Sequence, residues 1–462
     1  MLYPSVVIPL LVIPVSALSF RNGTTTHTKL ELSFQWEPYG RGTIGLLTTC
    51  VVTFSLCIWT AIHPNIIPNP TGWRQAKYKM FWTAICVGLP EAIVMCAFGQ
   101  WCKAKSMRKA WIAQYPDPAD DIGMEGGFFV VMGGVTVGAR AGKGGKGGKY
   151  NTTLTCDGFE TYIKTGDINP DNFSQRAAAD KGTASVLVKV LVFGQASWFV
   201  VQCISRVFYG LPATLLEVHV VIQVLYVLAA YGFWFSKPLD VNETIHIDIP
   251  SLISEDEIPE NNEHEYGLLT ITEKIRPGPV ILGLRAFYDI GQHIGHNKTT
   301  FATALITSLN GACHAAAWNT HFPTPTEAWL WRIASLSICV VPFILGFLVQ
   351  KGKYRELTGP ILWNTRFLDH KSTLKHTVVI ASQVRAGIGR IAKGKKADPA
   401  EPFTEFMIPQ FRILKCVITL TLYFFYILCI TYITLESFIS VRSLPMGAYS
   451  TPSWGGYVPH IQ

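Results

Sequence analysis

Glu91 is the residue whose setting promises the most chemistry. It follows Pro90 near the middle of an apolar run, residues 80–100. A carboxylate at mid-bilayer costs about 2.5–3.5 kcal/mol on insertion scales, so it normally faces a bundle interior and has a partner. The proline frees a backbone carbonyl one turn earlier and invites a kinked or broken helix. Two readings follow: a kink whose Glu bonds a neighbouring helix, and a carboxylate that takes a ligand or a proton. Glu217 has a more structural setting. Thr214 and Glu217 form a T-x-x-E pattern just before an apolar run, which predicts a capping box at a helix start. His219 then falls in the first turn and is expected to be structural.

Gln195, Gln202 and Arg206 are spaced i, i+7 and i+11, with Trp198 close by, so they share one helical face. In a membrane such a stripe turns inward, and it is expected to bond neighbouring helices. Arg206 and Glu217 flank one short turn and could pair across it. Asp289, His293 and His296 have helical spacing, with His314 and His321 following. Histidine is the commonest metal ligand, but the spacing matches no zinc signature, so these read as solvated or packing histidines and no metal site is assigned. The tract from Gly142 to Gly147 matches G-x-G-x-x-G only formally, because no helix pattern follows it. No phosphate-binding loop, nucleophile elbow or metal-deaminase pattern is present, so the residues name no cofactor.

The elements that must position these residues are membrane helices. About half of the 462 residues are apolar and only 15% are charged, against about 25% in soluble domains. The stretch 185–240 holds two apolar runs either side of a short turn, each long enough to cross a core of about 30 Å. It reads as a transmembrane hairpin. Further spans are read at 44–62, 80–100, 329–350 and 414–435. The fold class is therefore all-α: a polytopic bundle of about six spans whose partner is the lipid bilayer. The net charge of +8 is modest and reads as loop charge rather than as a nucleic-acid signal. Most of the eleven cysteines lie inside apolar runs, and only Cys102, Cys156 and Cys313 are placed for a disulfide. Nothing identifies a protein partner.

In chain order, residues 1–19 read as a signal peptide or signal anchor. Residues 20–100 hold a lumenal segment and the first two spans, and 101–184 form a lumenal loop. The hairpin 185–240 follows, then a lumenal loop, 241–328, in which 301–318 is a re-entrant or packed helix. The span 329–350 leads into a basic cytosolic loop, 351–413, within which 374–393 could form an interfacial amphipathic helix. Residues 414–462 are the last span and a tail. In this arrangement the glycosylation sequons at Asn22, Asn151, Asn172, Asn242 and Asn297 are all lumenal, and the basic loop and the hairpin turn are cytosolic. The cluster Lys103, Lys105, Arg108 and Lys109 is the exception to the positive-inside pattern.

The blocks RGTIGLLTTCVVTFSLCIWTAIHPNI, GLPEAIVMCAFGQW, GGFFVVMGG, QASWFVVQCISR, GLPATLLEVHVV, WFSKPLDV and YVPHI occur in this order. Together they resemble an uncharacterised family of fungal polytopic integral membrane proteins. The resemblance implies a fungal source, a multi-span fold, an endomembrane or plasma-membrane location and, for some members, a link to secondary metabolism. It supplies no catalytic residue. Three functions stay open: transport or ligand sensing through a polar bundle interior, a membrane-embedded enzyme acting on a lipid or isoprenoid-like substrate, and a non-catalytic endomembrane scaffold.

Overall fold

Five helices have the length and apolarity that a bilayer crossing needs: Thr43–Ala61, Val190–Phe208, Leu215–Phe233, Pro325–Leu348 and Val417–Arg442. They belong to a computed structural model that describes residues 31–37, 41–66, 72–139, 150–154, 156–173, 183–238, 241, 244–247, 268–269, 296–350 and 403–450. The leader, the Gly142–Gly147 tract, Asp289, His293 and the 374–393 stretch lie outside the described residues. Ten helices are described: α1 (Thr43–Ala61), α2 (Gly72–Gly88), α3 (Pro90–Gln114), α4 (Gly123–Val131), α5 (Cys156–Thr165), α6 (Thr183–Phe208), α7 (Leu215–Phe233), α8 (His296–Ala315), α9 (Pro325–Gln350) and α10 (Phe403–Ile439). The all-α polytopic expectation holds.

The expected continuous span over 80–100 does not form. Helix α2 ends at Gly88, α3 starts at Pro90, and the two axes are bent by 117°. Proline has no N–H and pushes the preceding residue out of the helical region; Leu89 sits at φ −140°, ψ 67°. The sharp bend turns the chain back on itself. Tyr78 and Trp82 on α2 line the same small cavity as Cys96 and Gln100 on α3. The pair thus enters the bundle and leaves towards the end it came from. The break strands the Val87 carbonyl, which a continuous helix would bond to residue 91. Gln223, near the middle of α7, donates its Nε2–H to that carbonyl at 3.3 Å.

Residues 301–318, read as a re-entrant or packed helix, belong largely to α8, which packs between two neighbours. It runs for 20 residues, about 30 Å at 1.5 Å per residue, antiparallel to both α7 and α9. Tyr226 Oη donates to the Ile306 carbonyl at 2.8 Å, while His219 meets His314 at 3.0 Å. Ser308 Oγ donates to the Cys339 carbonyl at 2.6 Å, while Trp331 Nε1 donates to the His314 carbonyl at 3.1 Å. Gly311 permits this approach: a Cβ there would lie 2.6 Å from Cys339 N and Ser335 O. Thr307, Asn310 and His314 turn inward and are buried, which dilutes the apolar signal that marks an ordinary span.

The two ends of the bundle are each fastened by a buried cation. At one end, Arg206 donates from Nη1 to the Ser450 carbonyl at 2.7 Å and from Nη2 to Ala448 O at 2.9 Å and Pro212 O at 3.1 Å. Arg41 Nη1 pairs there with Glu217 Oε1 at 2.6 Å. Strands β1 (Glu31–Leu32) and β6 (Leu444–Pro445) also pair at this end. At the other end, Lys237 Nζ donates to the His63 carbonyl, to Gln100 Oε1 at 2.8 Å and to Asn65 Oδ1 at 3.1 Å. These contacts overturn the expected topology. The 209–214 turn shares an end with Arg41 and Ser450, and the chain after α1 shares an end with the chain after α7. The sequence reading had placed the members of each pair on opposite sides.

Residues 101–184 are more than a polar loop. The short apolar patch at Gly127 becomes α4, which packs on α3. Strands β2 (Val135–Ala139), β3 (Tyr150–Leu154), β4 (Ile245–Ile247) and β5 (Leu268–Leu269) form a sheet in the order β4-β2-β3-β5. Strands β2 and β4 are parallel; the other pairs are antiparallel. Trp111, Phe129, Phe159, Ile163, Phe173 and Ile247 bury a separate small core between sheet and helices. Cys102, Cys156 and Cys313, the three placed for a disulfide, are not bridged to one another.

Candidate functional site: a carboxylate at a helix break

The tip of the bent pair delivers Glu91 to the interior. It occupies the first turn of α3 behind Pro90, and only 3% of it is exposed. Gln223 marks its depth, since that side chain caps the carbonyl just before the break from the middle of α7. Tyr426 on α10 donates to Glu91 Oε1 at 2.6 Å, and Asn310 Nδ2 on α8 donates to Oε2 at 3.1 Å. Helices α3, α8 and α10 thus meet at one carboxylate. Among the described residues, no lysine, arginine or histidine lies within ion-pair distance of it. Two donors and the positive end of α3 favour the anion. Burial opposes it.

Asn310 extends the network. Its backbone carbonyl lies 2.9 Å from His314 Nδ1, and His314 Nε2 lies 3.0 Å from His219 Nδ1. A carbonyl can only accept, so His314 carries its proton on Nδ1 when neutral and its Nε2 must accept. His219 Nδ1 therefore donates, and its Nε2 is left as a lone pair. That atom is buried and has no hydrogen-bond partner among the described residues, and the same is true of Asn310 Oδ1 and Gln223 Oε1. Phe54 and Trp331 close over the two imidazoles, with ring centroids at 6.2 Å from His219 and 5.8 Å from His314. A carboxyl, a phenol and two imidazoles are thus linked through Asn310 across four helices. Such groups can hold and pass a proton.

The other sequence candidates have structural places. Thr214 and Glu217 form the expected capping box: Thr214 Oγ1 accepts from Glu217 N at 3.2 Å, and Glu217 Oε2 accepts from Thr214 N at 2.9 Å. Glu217 also stands between Arg41 and Arg206, the latter at 3.6 Å, so it closes one end of the bundle. The stripe on α6 does not act as a unit. Arg206 bonds backbone carbonyls through both Nη atoms, whereas Gln195 and Gln202 are half-buried and their amides make no hydrogen bond among the described residues. His314 is packed inside against His219 and is remote in role from a lumenal metal cluster. No group of three or more candidate ligands occurs among the described residues. His219, read as structural, bonds His314.

Sequence reasoning missed Asn310, Tyr426 and Gln223 as members of the centre. Asn310 and His314 carried a readable signal, since they are i, i+4 in a run where each apolar stretch is broken on one face. Tyr426 carried none; it is one aromatic residue in an aromatic-rich span. No curated protein and no solved structure matches the chain. The model of a family of unknown function (DUF8562) matches residues 13–255, more than half of the 462 residues, and the chain belongs to that family.

Proposed function

We propose that the protein is a multi-pass membrane carrier or sensor whose working centre is Glu91, with proton exchange at that carboxylate biasing the packing of the bent α2–α3 pair against α8 and α10. One observation carries this reading. A buried carboxylate sits at a helix break, deep in the bundle, held by neutral donors rather than by an ion pair. Ionisable side chains at such depth mark proton relays and ion paths, and broken helices in membranes occur where backbone lines a site. The His219–His314 pair, joined through Asn310, would be the second proton-holding station. The fungal source and a location in the endomembrane system or plasma membrane rest on the family resemblance.

The enzyme reading has weaker support. An apolar groove of about 490 Å³ opens between α8 and α9, lined by Leu305, Ser308, Leu309, Cys339, Val340 and Phe343 among others. None of Glu91, His219 and His314 is in its lining, so an acyl or isoprenoid chain seated there would not meet the titratable centre. The test is proton movement. Purified protein in vesicles carrying an internal pH dye is exposed to an external acid step. Wild type should acidify the lumen faster than empty vesicles, and Glu91→Gln should abolish the difference. Equal fluxes for wild type and Glu91→Gln would remove the proposal.

A further inference from the structure

Helix direction and loop charge together assign sides to the bundle. Start at the end fastened by Arg41, Arg206 and Glu217. Helix α1 leaves it, and the chain arrives at the Lys237 end, where His63 and Asn65 accept from that lysine. The bent α2–α3 pair dips in and returns to the same end. The sheet unit follows there, because Gln100 on α3 also binds Lys237. Helices α6 and α7 go across and back. Helix α8 crosses to the Arg206 end and α9 returns. Helix α10 makes the last crossing, because Tyr426 meets Glu91 at mid-depth and Arg442 reaches Glu327 at the start of α9 at 2.5 Å. The long stretches 101–184, 241–295 and 351–402 therefore all attach at the Lys237 end.

That end is also the basic one. Lys77, Lys79, Lys103, Lys105, Arg108 and Lys109 belong to it, and α9 leads from it into the Lys/Arg-rich stretch 351–402, which lies outside the described residues. Near the opposite end, Arg41, Arg206 and Arg442 are each matched to a carboxylate, and Arg332 donates to the Trp318 carbonyl. Lys and Arg near helix ends are retained in the cytosol. The cluster at 103–109, an exception under the sequence-based topology, now follows the rule.

We infer that the sheet unit and the basic stretch are cytosolic, and that Asn22 is the one sequon that receives an N-linked glycan. Asn22 precedes β1, which is paired at the Arg206 end. The other four lie at the cytosolic end. Asn151 is in β3 opposite Gly138. Asn172 uses its whole carboxamide inside a turn, donating to Asp167 O at 2.8 Å and accepting from Asn169 N at 2.9 Å. Asn242 lies outside the described residues and precedes β4 in the sequence, and Asn297 is in the first turn of α8.

Two measurements decide it. Full-length protein made with sealed microsomes is treated with endoglycosidase. Asn22→Gln should abolish the mobility shift, and the combined Asn→Gln variant at 151, 172, 242 and 297 should keep the full shift. Retention of the shift in Asn22→Gln, or its loss in the fourfold variant, overturns the assignment. Independently, an epitope inserted in the Gly142–Gly147 tract should be destroyed by protease added outside intact microsomes. Protection of that epitope would place the sheet unit in the lumen and overturn the inference, whether or not any glycan is found.

Discussion

Replacing Glu91 in two ways separates the hydrogen-bonded network from the charge. In Glu91→Gln the side chain keeps its shape. Oε1 still accepts from Tyr426, and the new Nε2 faces the Asn310 amide. Asn310 Oδ1 has no partner among the described residues, so a flip of that amide restores a donor–acceptor match at no loss of bonds. The expected change in stability is within about 1 kcal/mol, the scale of one net hydrogen bond. Glu91→Leu has no such escape. It strands the Tyr426 hydroxyl and the Asn310 amide, at about 1–3 kcal/mol each. Burying an aliphatic side chain instead of a polar one returns about 1–3 kcal/mol. The Leu variant should therefore fall about 1–3 kcal/mol below Gln. Equilibrium unfolding in mixed detergent micelles reads both. A Gln variant as damaged as Leu, or a Leu variant as stable as wild type, would show that the buried network is not held as described.

Glu217→Ala should be among the most damaging single changes, at about 3–5 kcal/mol, because it leaves Arg41 and Arg206 facing each other without their shared carboxylate; adding Arg41→Ala should recover part of the loss in the same unfolding assay. Gly311→Ala should cost about 1–3 kcal/mol by forcing α8 away from Cys339 and Ser335, read as a lower thermal midpoint. In the sheet unit, Arg108 hydrogen-bonds the Asp121 carboxylate at 3.0 Å and holds it below its usual range. Stability from that pair is present above the unfolded pKa of about 3.9 and is lost as pH falls through the depressed folded value. Arg108→Ala should thus lower the thermal midpoint at about pH 7, with the difference from wild type shrinking on acidification below about pH 3.

The parts of the fold that rest on continuous apolar length were legible: the α6–α7 hairpin, α1, α9 and α10 stand where apolar runs of bilayer length stand. The capping box at Thr214 was legible because its pattern is local. What failed depended on long-range contacts. Pro90 announced a kink, but residues near it do not say whether a broken helix continues or returns; Tyr78 and Trp82 meeting Cys96 and Gln100 settle that. Helix α8 was legible only as a packed or re-entrant helix because its inward face is polar. The return at Pro90 and the passage of α8 leave the number of crossings before the 351–413 loop unchanged, but residues 101–184, read as lying opposite that loop, follow α3 at the end where α9 leads into it. Glu91 itself was legible, since an acid in an apolar run is conspicuous. Its partners were not, because Asn310 and Tyr426 are 219 and 335 residues away in sequence.

The central claim is that Glu91 exchanges a proton inside the folded bundle. Infrared difference spectroscopy on membranes holding the protein, recorded across a pH step, reads carboxyl protonation directly. A band from a protonated carboxyl should appear on acidification in wild type and be missing in Glu91→Gln, with the Tyr426→Phe variant shifting it because one donor to Oε1 is gone. A wild-type spectrum without such a band, or one that Glu91→Gln leaves unchanged, would contradict the account.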